Sequence, residues 1–146
     1  MAQHRTATVH GATTALTQTV LVRQHTLTAD EPLDVGGQDQ GPDPYELLLS
    51  ALGACTSMTV GLYATRKGWP LEAVSVTLHH EKIAGADGKP KDHLRREVTL
   101  TGPLDDEQRR RLLDIANRCP VHQTLTRAPV EVETTLVAPP DPASAQ

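Results

Sequence analysis

The chain has 146 residues, the length of a single domain, and 38% of them are hydrophobic. Phe is absent and there is one Trp, so a core must be built mainly from Leu, Val, Ala and Ile. A net charge of −4, with few aromatic side chains to stack on bases, argues against nucleic acid as a partner.

Residues 1–5 contain no apolar run, which predicts that the chain carries no signal peptide. No stretch approaches the roughly 20 apolar residues that cross a bilayer, so we expect no membrane partner. Two cysteines in such a chain are more often catalytic, redox-active or inert than joined in a permanent disulfide. These features predict a cytoplasmic protein.

The N-terminal part has the composition of strands. Residues 6–10 and 16–23 are rich in Thr and Val with partial alternation, and Gly11 lies between them, which predicts a β-hairpin or meander. Residues 30–42 then contain several Gly and Pro residues. So many breakers predict a surface loop without regular structure.

The strongest local signal is that of a long helix over residues 44–67. Asp43 suits the N-cap, Pro44 suits the first helical position, and Glu46 closes a capping box. Apolar side chains then recur at helical spacing, and Gly68 suits the position after the last turn. The helix would be roughly 35 Å long at about 1.5 Å per residue. Its wide apolar face predicts a central, mostly buried helix.

The second half of the chain begins with two more predicted strands. They cover residues 73–78 and 94–100, with a turn or mobile loop at 85–90 between them. A helix is then predicted to begin near Asp105, with Gln108 at the capping-box position. It should end before the Cys-Pro pair, because a residue that precedes Pro is disfavoured in the α region.

The C-terminal part predicts a short helix and one last strand. Pro120 can open a helix through Leu125, and residues 130–137 are predicted to form a closing strand. The tail, 139–146, is rich in Pro and Ala and is expected to be disordered. The order of the elements predicts a single α+β domain over residues 1–138, with an antiparallel sheet.

The two cysteines have different local settings. Cys55 lies on the apolar stripe of the long helix, where a free Cys packs as a small hydrophobe and needs a nearby cation or donor to become a thiolate. Cys119 lies just before a Pro-initiated helix, whose free N–H groups and dipole favour an anion, and Arg118 and His122 add cations. Local physics therefore favours Cys119 as the more easily formed thiolate, and a structural role for Cys55 stays open.

Other chemistries have weaker support. Cys119 and His122 have a spacing that could chelate a metal, but no second pair completes a four-ligand site, so no metal and no other cofactor is expected. The predicted position of Cys55 in the middle of a helix argues against the strand-to-helix nucleophile elbow of a hydrolase. The glycines of the 30–42 loop lack the Lys-Ser/Thr ending of a phosphate loop.

Three stretches together resemble the OsmC/Ohr family, named for osmotically inducible protein C and organic hydroperoxide resistance protein. They are Gly41–Leu49 (GPDPYELLL), Ala51–Thr56 (ALGACT) and Arg118–Leu125 (RCPVHQTL), and the resemblance extends over about residues 16–137. It implies an intertwined homodimer in which an antiparallel sheet wraps around a long central helix. It also implies an active site at the subunit interface, where Cys55 and Cys119 approach each other.

The resemblance further implies a role for each thiol. Cys55 would be the peroxidatic cysteine, whose thiolate attacks the O–O bond of an organic hydroperoxide and becomes a sulfenic acid. Cys119 would then resolve it as a disulfide, which an external dithiol reduces, of the lipoyl type or another. This order is the opposite of the one that local physics favours. We follow the resemblance, because a partner subunit can supply charges that one sequence does not show.

The chain departs from the family at one position and is closer to its OsmC-like branch. The best-characterised hydroperoxidases carry a Glu directly after the helix-opening Pro, where it pairs with an activating Arg from the N-terminal strands. Here that position is Tyr45, the acid follows as Glu46, and Arg23 is a loose candidate for the Arg. The candidate activating shell is therefore Glu46, Arg23, Tyr45 and His122. A peroxidase is the leading prediction, and a non-enzymatic stress protein that binds a ligand or senses redox state as a dimer is the alternative.

Overall fold

The structure is a computed structural model and describes residues 4–127 and 129–144. Its strands are β1 (Thr8–Gly11), β2 (Gln18–Val22), β3 (His25–Ala29), β4 (Ala73–Ala84) and β5 (Pro90–Thr101). Its α-helices are α1 (Pro44–Lys67), α2 (Asp106–Ala116) and α3 (Pro120–Thr126). Short 3-10 turns lie at Leu33–Val35 and Pro142–Ser144. The predicted α+β class is confirmed.

The strands form two separate antiparallel sheets. β1, β2 and β3 form a meander in which Val20 pairs with Val9 on one side and with Leu27 on the other. β4 and β5 form a hairpin with Val76 opposite Val98. The meander predicted for the N-terminal region is confirmed, and its strands contact each other far more than they contact the helices.

The β4–β5 hairpin extends beyond the bounds that the sequence predicts. β4 continues to Ala84 and β5 begins at Pro90. The added part is held by cross-strand charge pairs, since Asp92 contacts His80 Nε2 at 2.8 Å and Lys82 Nζ at 2.6 Å. Polar pairs of this kind stabilise a ladder without the apolar alternation on which the prediction rests.

The helices begin where the sequence predicts. The Glu46 amide donates to Asp43 at 2.8 Å and the Asp43 amide donates to Glu46 at 2.9 Å, so both hydrogen bonds of the α1 capping box form. Asp105 and Gln108 form the same box at the start of α2. Gly68 ends α1 in the left-handed conformation, with φ of 66°, which a residue without Cβ adopts at little cost.

The core lies between α1, the β4–β5 hairpin and α2. Val60 on α1 and Leu112 on α2 are fully buried at its centre. The other buried members of this cluster are Ala64, Leu104, Ile115 and Ala116. α1 presents this apolar side to the core. Cys55 lies in the middle of the helix on the adjoining side, and it faces α3.

The opposite side of α1 is not covered by the residues that the structure describes. Met58 and Leu62 are exposed, so the prediction of a mostly buried helix is wrong for the single chain. The helix is also long and apolar enough to cross a membrane by length and composition, contrary to the sequence-based expectation. It contacts β4, α2 and α3, and 22% of the 18-residue window that passes this test is buried.

The predicted closing strand is wrong. Residues 129–141 carry neither helix nor strand, and Val132 and Leu136 within them are almost fully exposed. A strand needs the edge of a neighbouring strand to form hydrogen bonds with its N–H and C=O groups. In the described part of the chain, no strand pairs with this segment. Of the predicted disordered tail, 139–146, residues 145 and 146 lie outside the described residues.

Candidate thiol site

The start of α3 brings the two thiols together. Cys119 is its N-cap residue and accepts a hydrogen bond from the His122 amide at 3.4 Å. Cys55 reaches the same turn from α1, where the Val121 amide donates to its Sγ at 3.5 Å. Because Pro120 has no N–H, these are the first two amides that the helix start offers. One goes to each sulfur, so the donors that local sequence assigns to Cys119 are shared with Cys55.

The two sulfurs differ in access. Cys119 is 0% exposed, whereas Cys55 is half-buried. A thiolate must meet its electrophile to react, and exposure is one of the features of a reactive cysteine. In this chain Cys55 is therefore the cysteine that is more open to a dissolved molecule.

A buried threonine links Cys119 to an arginine. Thr56 is fully buried, and its Oγ1 lies 3.7 Å from Cys119 Sγ. The same hydroxyl donates to the Leu52 carbonyl at 2.7 Å and accepts from Arg96 Nη1 at 2.9 Å. Arg96, on β5, is thus one hydroxyl away from the buried sulfur.

Arg96 also orders the polar side of the site. Its Nη2 donates to Asn117 Oδ1 at 2.8 Å and lies 3.4 Å from His122 Nδ1. Burial lowers the pKa of His122 from its ordinary value, and the charges of Arg96 and Arg127 act in the same direction. The lowered pKa favours the neutral ring of His122, which argues against the expectation that it adds a cation beside Cys119.

A cavity of about 410 Å³ adjoins this network. Its polar lining includes Arg96, Asn117 and His122. Its apolar lining consists of Leu52, Leu94, Val98, Leu113 and Leu125. A volume of this size with apolar walls and a few polar groups suits a small organic molecule.

The predicted activating shell is assembled in part. His122 lies at the thiol site, but the Glu46 carboxylate is engaged in the α1 capping box and Tyr45 stacks on His80 with ring centroids 4.5 Å apart. Arg23 is exposed in the β2–β3 turn, with φ of 53°. Within residues 4–127 and 129–144, none of these three outlying side chains forms a hydrogen bond with a cysteine.

Sequence reasoning missed Thr56 and Arg96. Thr56 follows Cys55 in the ALGACT stretch, and a hydroxyl on the buried side of the helix, next to a thiol, is a signal that could have found it. Arg96 carries no comparable signal. It reaches the site because the β4–β5 register places it opposite Leu78, which packs beside Gly53 of α1.

Metal binding finds no geometric support in the part of the chain that the structure describes, where no three His, Cys, Asp or Glu side chains come together. The spacing of Cys119 and His122 suggested that they could chelate a metal together, but their contacts in the structure are not those of a chelate. The Cys119 sulfur accepts the His122 amide, and the His122 ring faces the Arg96 guanidinium. A second cation beside that guanidinium would be repelled.

The chain matches a protein family over most of its length. A family model described as OsmC-like protein matches residues 37–135, a range that contains both cysteines and α1. No curated protein matches the chain.

Several solved structures share the fold. An OsmC-like protein from Mycoplasma pneumoniae has a TM-score of 0.73 at 22% identity, covering 87% of this chain and 90% of that one. An organic hydroperoxide resistance protein OsmC from Legionella pneumophila has a TM-score of 0.67 at 21% identity, covering 87% and 92%. An organic hydroperoxide resistance protein from Elizabethkingia anophelis has 0.68 at 16%, covering 87% and 91%. These similarities concern the fold, and they confirm the predicted α+β fold with antiparallel strands and a long helix.

Proposed function

The chain belongs to the OsmC-like protein family, and from this premise we propose that it is a thiol-dependent peroxidase that reduces organic hydroperoxides in oxidative stress defence. The observation that carries the proposal is that consecutive amides of α3 donate hydrogen bonds to the two sulfurs. The Val121 amide donates to Cys55, and the His122 amide donates to Cys119. Donors of this kind favour the thiolate, which is the reactive form of cysteine. The fold is shared with proteins described as organic hydroperoxide resistance proteins.

The proposed cycle begins at Cys55. Its thiolate attacks the terminal hydroxyl oxygen of the hydroperoxide, an S–O bond forms, and the O–O bond breaks. The leaving alkoxide takes a proton and departs as an alcohol, which leaves a sulfenic acid on Cys55. Cys119 then attacks that sulfur, the S–O bond breaks, and the hydroxide takes a proton to leave as water. An external dithiol, of the lipoyl type or another, reduces the resulting disulfide by two thiol exchanges.

The difference in burial supports this order of the two cysteines. Cys55 is half-buried and Cys119 is fully buried. An organic hydroperoxide in solution therefore meets Cys55, whereas Cys119 needs to meet only a sulfur of its own protein. We place the reaction in the cytoplasm, where a reducing environment keeps both thiols available.

Exposed apolar surface supports an intertwined homodimer with the site at its interface. Met58 and Leu62 on α1 are 66% and 58% exposed, and the unpaired segment 129–141 presents Val132 and Leu136 at 86% and 100%. Burying apolar surface of this kind is the main driving force of stable association. Cys55 lies on α1 near this surface, so a second copy of the chain would add residues to the walls of the thiol site.

The proposal is tested with reduced protein and cumene hydroperoxide. We expect the wild type to consume the hydroperoxide at least about tenfold faster than the Cys55→Ser variant, because a single activated thiol carries the first step. After one equivalent, mass spectrometry should find a Cys55–Cys119 disulfide in the wild type and a Cys55 sulfenic acid in Cys119→Ser. Equal rates for wild type and Cys55→Ser would refute the proposal.

A second candidate function rests on the incomplete activating shell. Tyr45 occupies the position of the family's acid and stacks on His80, and Arg23 is exposed and forms no hydrogen bond with either cysteine among the described residues. A dimer of this kind could bind a ligand in the 410 Å³ cavity or sense redox state without turnover. In that case peroxide would form no Cys55–Cys119 bond, while the fold and the binding of an apolar ligand would persist.

A further inference from the structure

We propose that Arg96 is a positioning residue that acts through the Thr56 hydroxyl to stabilise the thiolate of Cys119 and thereby speeds disulfide formation. The inference rests on the proposed function for its place in the cycle, but the charge state of Cys119 can be measured without any turnover. It assigns a task to two residues, Thr56 and Arg96, that neither motif of the family resemblance identifies as reactive.

The first argument is the hydrogen-bond capacity of the Thr56 hydroxyl. A hydroxyl has one proton to donate and two lone pairs to accept with. The Arg96 guanidinium occupies one lone pair at 2.9 Å and can never accept in return. When Cys119 is a thiol, the hydroxyl proton goes to the Leu52 carbonyl at 2.7 Å and the S–H can donate to the hydroxyl oxygen. When Cys119 is a thiolate, the hydroxyl can rotate to donate to sulfur.

The second argument is the charge of Arg96 and the nature of its partners. Among the described residues its recorded partners are Thr56, Asn117 and His122, and no carboxylate lies within ion-pair distance. Its charge is therefore not neutralised by a counter-ion in the way that Arg95 is neutralised by Glu97 at 3.6 Å. A half-buried cation without a counter-ion favours an anion nearby, and the Thr56 hydroxyl transmits that preference to the Cys119 sulfur.

The other titratable groups around Cys119 do not supply this charge. From α3, His122 has its pKa lowered by burial and by the charges of Arg96 and Arg127, which favours its neutral form. From α1 the neighbouring group is Cys55, which accepts the Val121 amide. From β5, Asp92 lines the same cavity, but its carboxylate is engaged by Lys82 and His80. Arg118 precedes Cys119 in the chain, but its charge acts on Tyr63, and the charge of Arg127 acts on His122. Of these cations, Arg96 is the one that a hydrogen-bonded hydroxyl links to the buried sulfur.

The effect is specific for Cys119 because the recorded contacts of the two sulfurs differ. Cys55 accepts from the Val121 amide, whereas Cys119 contacts both the His122 amide and the Thr56 hydroxyl. Arg96 thus acts on the sulfur that attacks the sulfenic acid in the second step. Loss of its charge should slow disulfide formation and prolong the life of the Cys55 sulfenic acid.

The decisive experiment titrates Cys119 alone by its ultraviolet thiolate absorbance in the Cys55→Ser background. We expect Arg96→Gln and Thr56→Val to move the midpoint upward by about one pH unit or more, the size of shift that a nearby opposite charge produces. Arg96→Lys should restore part of the shift, because it keeps the charge with a different shape. Arg95→Gln, on the neighbouring exposed residue, is the matched control and should leave the midpoint in place.

Circular dichroism and unfolding midpoints show whether each variant remains folded. A folded Arg96→Gln protein with an unchanged midpoint overturns the inference, and so does an equal shift in Arg95→Gln. With Cys55 present, a sulfenic-acid probe should capture more adduct at Cys55 in Arg96→Gln than in wild type. If no variant forms a sulfenic acid, the peroxidase proposal fails, while the titration still decides the role of Arg96.

Discussion

Cys55 and Cys119 accept hydrogen bonds from the consecutive amides of Val121 and His122, although one cysteine lies in the middle of α1 and the other caps α3. The first turn of α3 is therefore a shared donor for both sulfurs. The same turn leaves Cys119 fully buried and Cys55 half-buried. The amide donors are thus shared between the two sulfurs, whereas access favours Cys55.

Thiol accessibility gives the most direct prediction. In the native protein, iodoacetamide should modify Cys55 at least about tenfold faster than Cys119, because the buried sulfur is reached only when the site opens. Peptide mass spectrometry over a time course measures both rates. In concentrated guanidinium chloride the two rates should become similar. Faster native labelling of Cys119 would contradict the burial that supports the proposed order of the steps.

The core makes a prediction about stability at two neighbouring leucines of α2. Leu112 is 0% exposed and Leu113 is 53% exposed. Leu112→Ala should lower the free energy of unfolding by about 2–5 kcal/mol, since it leaves a cavity among packed side chains. Leu113→Ala should change it by less than about 1 kcal/mol, because most of its surface stays in water. Urea unfolding measures both values, and equal losses would show that the core is placed wrongly.

Two glycines in α1 should respond differently to alanine. A Cβ on Gly61 meets nothing within 4 Å, whereas a Cβ on Gly53 lies 2.8 Å from Leu78 Cδ1. Gly61→Ala should stabilise the protein by about 0.5–1 kcal/mol through helix propensity. Gly53→Ala must displace the Leu78 side chain and should recover less of that gain or lose stability. Thermal unfolding compares the pair, and a larger gain at Gly53 would count against the packing of α1 on β4.

The buried carboxylate of Asp30 predicts a pH dependence. Burial acts to raise its pKa, but hydrogen bonds from three loop amides and from the Thr17 hydroxyl outweigh burial, so the pKa lies below the ordinary 3.8. Such a group contributes stability that is fully present above its ordinary pKa and is lost as the pH falls through the folded-state pKa.

The Asp30→Asn variant should therefore be less stable than wild type at neutral pH, with the difference shrinking as the pH falls below about 3.8. Denaturant unfolding at neutral and acidic pH measures the difference. Asp34→Asn, on the exposed part of the same loop, serves as the control and should leave the pH profile nearly parallel to wild type. A parallel profile for Asp30→Asn as well would refute the assignment.

The exposed C-terminal segment predicts the oligomeric state. A chain that ends after Ala138 should keep the molar mass of a dimer in light scattering, because it loses only the predicted tail. A chain that ends after Arg127 should shift toward monomer or become less soluble, because it loses the apolar residues that include Val132 and Leu136. A monomeric full-length chain would contradict the proposed homodimer.

Local signals were sufficient for the helices. The Asp43–Glu46 and Asp105–Gln108 capping boxes, Pro44, Pro120 and Gly68 each act within a few residues of the chain. Their hydrogen bonds and backbone preferences are therefore readable in order along the sequence, and the bounds of α1 are confirmed at both ends.

Longer-range features required the folded chain. The partners of Thr56 and Arg96, the burial of Cys119 and the lowered pKa of His122 all depend on which surfaces meet across α1, β5 and α3. A strand prediction fails for residues 130–137 for the same reason, since a strand exists only where another edge receives its hydrogen bonds. Two thiols could be found along the chain; which amide, hydroxyl and cation each of them meets was decided by packing, because those contacts join residues far apart in sequence.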